Sequence, residues 1–284
     1  MKLLDIHNLR EKGKNVRLVI FDLDGTLLNS KHEISEYSLL AIQELLKKQI
    51  VVAIASGRIF TMLEGYTHQL GHQGYVISSN GGAIDDLSTH TSVKQIYLDP
   101  KDSEYLVKYC YDQQIECNIL KRKTCYFPIQ SVRISRFDNY NRIALEKELS
   151  PILFKRYEYT IDDYEAIEKI LIYENNSMKV RKVKKFIENH TQLTYTSSGD
   201  GLLDVSSKEV SKGSAVEVIA SELKIPMHQV CVFGDYDNDV SMFKVSGLAV
   251  AMGNASPAAK KHADFVTLSH DDEGIAYAIR ELLL

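Results

Sequence analysis

The chain has 284 residues, enough for about two domains of ordinary size, and 34 Lys+Arg against 38 Asp+Glu leave a net charge of −4. That balance gives no broad electrostatic attraction to nucleic acid or to an anionic membrane surface, and no apolar stretch approaches the ~20 residues needed to cross a bilayer. A composition of 44% hydrophobic and 25% charged residues is that of a globular protein.

The first fifteen residues are interrupted by charge too early for a signal-peptide core. They read as a lead-in, either a tail or an extra helix, and the cytoplasm is the expected location. Leu18 to Phe21 is an unbroken apolar run, the pattern of a strand buried on both faces of a parallel sheet. It stops at Asp22-Leu23-Asp24-Gly25-Thr26. Ser35 is placed to cap a helix running to about Lys48, with Leu39, Ile42, Leu45 and Leu46 on its inner side. Ile50 to Ala55 is a second buried strand ending at Ser56-Gly57-Arg58, and a helical segment follows to about Leu70. Tyr75 to Ser78 is a third strand, ending at Ser79-Asn80-Gly81-Gly82. This alternation is the grammar of an open α/β sheet.

Residues 85–200 read differently, as a mixture of strands and helices rich in tyrosine. Ile119 to Phe127 reads as strand. Ala166 to Tyr173 alternates and is expected to be half-exposed, and Lys179 to His190 reads as a basic amphipathic helix with a solvated face. Segments 101–127 and 139–173 share a helix-then-strands plan without a convincing repeat. Near residue 200 the first grammar returns: a helix from Lys212 to Leu223, a buried strand at Val230 to Phe233 ending in Gly234-Asp235, a helix over Asp237 to Val245, strands at Leu248 to Met252 and Phe265 to Leu268, and a last helix from about Asp271. The expected organisation is an α/β core, an open Rossmann-like parallel sheet formed by residues 1–84 and 201–284, with an inserted α+β domain over 85–200.

Ligands of such sheets bind beyond the carboxyl ends of the strands. The residues expected there are Asp22 and Asp24, Ser56 and Gly57, Asn80, Asp235, Asn238 and Asp239, with Lys212 opening a helix in the same half. Crowded carboxylates repel one another and call for a cation, and hard oxygen donors suit Mg²⁺. Glycines let backbone N–H groups approach phosphate oxygens, and a lysine is a point charge for phosphate or a nucleophile. The P-loop and the dinucleotide-binding glycine pattern are both absent, so phosphate would be held by a distributed site.

These residues resemble the motifs of the haloacid dehalogenase (HAD) superfamily: Asp22-Leu-Asp-Gly-Thr26 the first, Ser56 the second, Lys212 the third, and Gly234-Asp-Tyr-Asp-Asn-Asp239 the fourth. All four occur in order. Ser56-Gly57-Arg58, Ser79-Asn80-Gly81-Gly82, Ser211-Lys212-Gly213 and Ala251-Met-Gly-Asn-Ala255 are similar to the Cof-type phosphatases. The insert of about 115 residues over 85–200, between the third strand and Lys212, matches the family's C2-type cap position, which implies a lid that excludes water and helps select substrate. The resemblance implies Asp22 as nucleophile forming an aspartyl-phosphate, Asp24 as general acid and base, and Lys212 as a catalytic lysine. It implies Mg²⁺ on the Asp22 carboxylate, the Asp24 backbone carbonyl and Asp235. Leu23, Ser56, Gly57, Lys212 and Asn238 form the implied phosphate- and substrate-binding set. Asp239 would orient Lys212 or metal waters, Asn80 is a supporting residue and Arg58 a more remote candidate.

Taken alone, Asp24-Gly25 reads as a turn, but a turn does not account for Asp22, Ser56, Lys212 and Asp235 together. For Asp237, a helix N-cap and a site role both stand open. His68 and His72 have i,i+4 spacing with no acidic residue between them, so no metal is expected there. Tyr105, Tyr109 and Tyr111 are expected to pack. Cys110, Cys117, Cys125 and Cys231 contain no C-x-x-C pair and are expected to be reduced and mostly buried. The expected function is Mg²⁺-dependent hydrolysis of small-molecule phosphate monoesters such as sugar phosphates. The alternatives are a phosphomutase of the phosphomannomutase kind and a non-catalytic phosphosugar sensor. The expected partner is a small-molecule phosphate ester, with no nucleic-acid or membrane partner.

Overall fold

A computed structural model of the chain describes residues 6–71, 73–199 and 201–284. In chain order, α1 (Ile6–Gly13), β1 (Leu18–Asp22), α2 (Glu36–Lys47), β2 (Val51–Ala55), α3 (Glu64–Gln69), β3 (Tyr75–Ser78), β4 (Ala83–Asp86) and β5 (Thr91–Gln95) come first. There follow α4 (Pro100–Asp112), β6 (Glu116–Leu120), β7 (Thr124–Pro128), α5 (Ile134–Glu146), β8 (Leu153–Tyr157), β9 (Lys169–Tyr173), α6 (Ser177–His190), β10 (Leu193–Gly199) and β11 (Leu202–Ser207). The chain closes with α7 (Lys212–Glu222), β12 (Val230–Gly234), α8 (Val240–Val245), β13 (Leu248–Ala251), α9 (Pro257–His262), β14 (Phe265–Val266) and α10 (Gly274–Leu282). Among the described residues, no helix is long and apolar enough to cross a membrane.

Contacts divide the chain into two compact units. Met1–Ser56, Tyr66–Val93 and Ser211–Leu284 form the first; Gly57–Gly65 and Lys94–Val210 form the second. The boundaries thus fall at 56/57, 65/66, 93/94 and 210/211, where 84/85 and 200/201 were expected. The hydrogen-bond ladders give the reason. β4 returns antiparallel on β3, pairing Ser78 with Ala83, so it stays with the first sheet. β10 and β11 form one hairpin, from Leu193 opposite Ser207 to Gly199 opposite Leu202, which a division at 200/201 would cut.

The first unit is built on a sheet of order β14-β13-β12-β1-β2-β3-β4-β5. The strands from β14 to β3 run parallel. Every residue of β1 is buried, as a strand covered on both faces must be, and Leu18 to Phe21 are each fully removed from solvent. Burying side chains of this kind stabilises by about 1.5–3 kcal/mol each, as an upper figure. Ser35 caps α2 as expected, its Oγ accepting from the Ser38 amide at 3.1 Å. The helix buries Ser38, Ala41, Ile42 and Leu45, while Leu39 and Leu46 are only half-buried, so the inner face is rotated from the expected one. The lead-in is helical over Ile6–Gly13. The short helix α9 begins at Pro257 behind the Ser256 cap, a cap and first-turn proline that are its local start signal. The strand order reverses direction of travel between β1 and β12, which makes the carboxyl ends of those two strands the switch point of the sheet.

The second unit carries a sheet of order β10-β11-β9-β6-β7-β8. The single strand expected over 119–127 is a hairpin, β6 and β7, turned at residues 121–123. The strand expected to be half-exposed is the buried β9: residues Lys169 to Ile172 are all buried. The alternation is real, but each face meets its own apolar cluster. Ile170 and Ile172 pack with Leu106, Val183 and Ile187, and Leu171 packs with Phe127, Phe137 and Ile59. The basic helix α6 supplies Val183, Phe186 and Ile187 to the core and leaves Arg181, Lys182 and Lys185 exposed. Tyr109 stacks on Phe186 with centroids 3.9 Å apart, and Tyr105 and Tyr111 contact the rings of Phe186 and Tyr159. All four cysteines are buried and free.

Candidate active site

Asp22 is the last residue of β1 and is buried. Beyond it the chain folds back at once: the Leu27 amide donates to the Asp22 carbonyl at 3.2 Å and the Leu28 amide to the Leu23 carbonyl at 2.9 Å. This tight return buries the Leu23 side chain and turns Asp24 outward into solvent. Gly25 makes it possible. Its φ is +82°, and a Cβ there would stand 2.4 Å from Asp235 Oδ2.

β12 ends one strand away. Gly234 is its last residue; Asp235 follows, half-buried, and the chain enters a 3₁₀ turn over Asp237–Asp239. Asp239 is fully buried and both its oxygens are engaged. Oδ2 accepts from the Asp235 amide at 2.8 Å and the Tyr236 amide at 3.0 Å, and Oδ1 accepts from Lys212 Nζ at 2.6 Å. Gly234 leaves the room for this, since a Cβ there would meet Asp239 Cβ at 2.6 Å.

Lys212 is the first residue of α7, behind the Ser211 cap, and is 1% exposed. Its ammonium donates to Asp22 Oδ1 as well as to Asp239. Gly213 allows α7 to approach α8 closely, where a Cβ would lie 2.4 Å from the Ser241 carbonyl oxygen. Ser56 directly follows the neighbouring strand β2; its amide donates to the Ile77 carbonyl and its carbonyl accepts from the Asn80 amide, both at 2.9 Å. Ser79 and Asn80 both have left-handed φ, 52° and 58°, which turns the Asn80 side chain to accept from Asn238 Nδ2 at 3.0 Å. Asp22, Lys212, Asp235, Asp239, Asn238, Asn80 and Ser56 therefore all sit at the carboxyl edge of the first unit. Gly57 and Arg58 open the segment that packs within the second unit. Asp237 is exposed and accepts from Ser256 Oγ at 2.7 Å, a tie to the start of α9. His68 lies in α3, while His72 is outside the described residues.

The electrostatics are unbalanced. Asp22, Asp235 and Asp239 each bring a carboxylate oxygen within 4.8 Å of the others, and Lys212 is the ammonium among them. Burial first, then the Asp239 carboxylate, pushes Asp235 up to about 7 and holds Asp22 well above the usual carboxylate range. Burial opposes the charge on Lys212, yet Asp22 and Asp239 outweigh it and hold its pKa above the ordinary lysine range. Asp22 Oδ2 is buried without a hydrogen-bond partner. An orphaned carboxylate oxygen beside a second carboxylate, in an all-oxygen donor set, fits a hard divalent cation. Since Asp239 is spent on Lys212 and two backbone amides, Asp22 and Asp235 are the carboxylates open to it. The Asp24 side chain is not part of that cluster, so any share it takes comes from its backbone.

Four supporting residues had no role assigned from sequence. Thr26 Oγ1 donates to Asp235 Oδ1 at 3.3 Å. Asn254 Nδ2 donates to the Gly25 carbonyl at 2.8 Å, and the His270 amide donates to Asn254 Oδ1 at 3.0 Å. The Ser256 amide donates to the Asp235 carbonyl at 2.8 Å. Thr26 and Asn254 belong to phrases already singled out, so the signal was present; their contacts depend on loops meeting over more than two hundred residues.

The profile of the haloacid dehalogenase-like hydrolases matches residues 19–279. "Phosphatase YwpJ" of Bacillus subtilis (strain 168) is 30% identical over 290 aligned positions, covering 94% of this chain and all of that one. A second protein of the same strain, "5-amino-6-(5-phospho-D-ribitylamino)uracil phosphatase YwtE", is 28% identical, covering 94% of this chain and 98% of the relative. The solved structure of a haloacid dehalogenase-like hydrolase from B. subtilis superposes with a TM-score of 0.82 at 28% identity, covering 94% of this chain and all of that one. With the motif residues gathered at one sheet edge and the profile spanning both units, the chain belongs to the haloacid dehalogenase-like hydrolase family and is an enzyme of its phosphatase kind.

Proposed function

We propose that the protein is a Mg²⁺-dependent phosphatase that hydrolyses small-molecule phosphate monoesters through an aspartyl-phosphate on Asp22. The observation that carries this reading is the state of the Asp22 carboxylate: one oxygen is held by the Lys212 ammonium, and the other is buried without a hydrogen-bond partner. A nucleophile needs a free lone pair, and a carboxylate whose two oxygens are shared with Lys212 and a cation still keeps one on each oxygen.

Asp22 attacks phosphorus in line. The bond from phosphorus to the ester oxygen breaks, and the departing alkoxide takes a proton from the Asp24 carboxyl group. Asp24 then removes a proton from water, which attacks the same phosphorus. The bond to Asp22 breaks and inorganic phosphate leaves. The exposure of Asp24 beside buried Asp22 suits a group that exchanges protons with solvent. Lys212 steadies both Asp22 and a phosphoryl oxygen, while the Ser56 hydroxyl, the Gly57 amide and Asn238 hold the remaining oxygens, with Leu23 contributing through its backbone. Asp239 orients Lys212, and Asn80 orients Asn238. The Asp22 and Asp235 carboxylates and the Asp24 carbonyl would hold Mg²⁺, which would supply positive charge between carboxylate and phosphate.

For the substrate we assign small phosphorylated metabolites, sugar phosphates or their like, in keeping with the phosphoribityl compound that names YwtE. Four unpaired buried thiols favour a reducing compartment, and we place the enzyme in the cytoplasm. The test is phosphate release from a panel of sugar phosphates, nucleotides, pyridoxal phosphate and flavin mononucleotide, with Mg²⁺ and with chelator. Release that requires both Mg²⁺ and Asp22 supports the reading. Undiminished release by Asp22→Asn removes it.

A further inference from the structure

Ser56 and Gly57 are consecutive, yet they belong to different units. The nine residues from Gly57 to Gly65 are held throughout by groups of the inserted unit. Lys169 Nζ donates to the Gly57 carbonyl at 2.8 Å. Arg122 places its guanidinium 4.2 Å from the centroid of the Phe60 ring. Thr61 Oγ1 donates to the Arg122 carbonyl at 2.8 Å, and the Tyr140 hydroxyl donates to the Thr61 carbonyl. The Ser150 amide donates to Glu64 at 3.2 Å. Ile59 and Met62 join the apolar cluster of Leu120, Phe127 and Leu171.

The first of these ties is the costliest to build. Lys169 is 6% exposed and its partner Asp204, on the neighbouring strand β11, is 4% exposed. A buried lysine–carboxylate pair returns little net stability, because desolvating both charges offsets their attraction. Lys169 also had an apolar alternative, since its neighbours on β9 are Ile170, Leu171 and Ile172. What the charged pair provides that an apolar pair cannot is a fixed donor aimed at one backbone carbonyl. The recipient is a glycine, the residue whose dihedrals are otherwise least restrained. With the Gly57 carbonyl turned to Lys169, the planar trans peptide that follows is fixed, and so is the ψ angle of Gly57.

We propose that Lys169 is a positioning residue for the phosphate-holding turn at Ser56–Gly57: it anchors the Gly57–Arg58 peptide through the Gly57 carbonyl, which leaves φ of Gly57 as the one rotation between that anchor and the Gly57 amide, while Asp204 holds the ammonium in place. The proposal rests on the phosphatase reading for what Gly57 does; the anchor itself is independent of it. By this route the inserted unit sets phosphate affinity through the covalent chain at 56–57, without any of these side chains touching the phosphate.

The test removes the charge pair as a pair, so that neither partner is left buried alone. In Lys169→Met/Asp204→Leu, amide hydrogen exchange should quicken at 57–60 and remain unchanged in β1 and β12. The inhibition constant of inorganic phosphate and the KM for a turned-over ester should both rise about tenfold, while kcat changes less than about threefold, the pattern of lost binding that ground and transition states share. Should that variant not fold, Lys169→Gln/Asp204→Asn, which keeps a weaker donor, should give smaller shifts in the same direction. A folded variant of either kind with wild-type phosphate inhibition and wild-type exchange at 57–60 overturns the proposal. Wild type that neither releases nor binds inorganic phosphate overturns the phosphatase reading instead, and takes the role of Gly57 with it.

Discussion

Each unit of this protein buries a lysine against carboxylates, and the two arrangements are built to opposite ends. In the second unit Lys169 meets Asp204 and a carbonyl, one carboxylate to one ammonium. In the first, Lys212 meets Asp22 and Asp239 with Asp235 close by, so three carboxylates face one ammonium. A balanced pair is complete as folded. An unbalanced one carries repulsion and an unsatisfied oxygen that a bound cation or a proton relieves. The contrast separates a group that holds a shape from groups that hold a cation and a phosphate, and it can be broken by mutation.

The largest effect is expected at Asp22. Asp22→Asn should lower phosphate release by at least about 10³-fold, since a neutral amide is no nucleophile and Lys212 cannot substitute for it. The same change should raise the melting temperature of metal-free protein, because it removes one of three mutually repelling carboxylates while Lys212 keeps Asp239. Asp204→Asn should act oppositely on stability. It leaves the Lys169 ammonium buried without its carboxylate, at a cost of about 3 kcal/mol, read as a fall in the denaturation midpoint. If both substitutions destabilise alike without metal, the contrast between the two lysines is not real.

The next effect is linkage to metal and protons. Mg²⁺ at about a hundred times its dissociation constant should stabilise the wild type by about 2.7 kcal/mol, if the unfolded chain does not bind it. Asp22→Asn should lose most of that gain. The pH dependence has a definite sign. Asp235, at about 7, and Asp22 both carry folded-state values above the ordinary carboxylate. Between about pH 4 and about pH 7 these two groups therefore bind more protons in the folded, metal-free protein than in the unfolded chain, and the stability they contribute falls as pH rises through that window. Their contribution is fully present below about pH 4 and gone once the folded-state values are passed. The cation needs the deprotonated carboxylates, so the Mg²⁺-induced shift in melting temperature should grow over the same range. A shift that is constant with pH would remove Asp22 and Asp235 as the groups that bind it.

What was legible in the sequence follows from the same physics. A strand buried on both faces writes itself as an apolar run, and its abrupt end marks the sheet edge; Asp22, Ser56 and Asp235 were all found that way. The third motif was visible because Lys212 opens a helix in the same half; its Ser211 cap is seen in the structure. Lys169 was not. Its strand alternates, and alternation normally means one wet face. Here the face that carries Lys169 and Leu171 is covered by residues 57–65, a segment more than a hundred positions away in the chain. Nothing local records that cover. Asp239 illustrates the intermediate case. Its place in the motif was plain, but the commitment of both its oxygens depends on a 3₁₀ turn that brings its side chain back onto two amides.

The smallest effect concerns how that edge is held. Ser256 caps α9 through the Ala259 amide at 3.1 Å, and the same Oγ donates to Asp237 at 2.7 Å. Its own amide donates to the Asp235 carbonyl. Ser256→Ala keeps the backbone bond and loses the two side-chain ones, so it should cost about 1 kcal/mol, as the loss of a helix cap does. For a protein of this size that is a fall of about 2–4 °C in melting temperature. Because Asp235 keeps its carbonyl partner, Mg²⁺ affinity should be nearly unchanged. A variant that instead lost Mg²⁺ affinity in step with stability would show that the Asp235 loop is held by the serine side chain and not by the backbone, and the open carboxylate of the first unit would then depend on α9 as much as on β12.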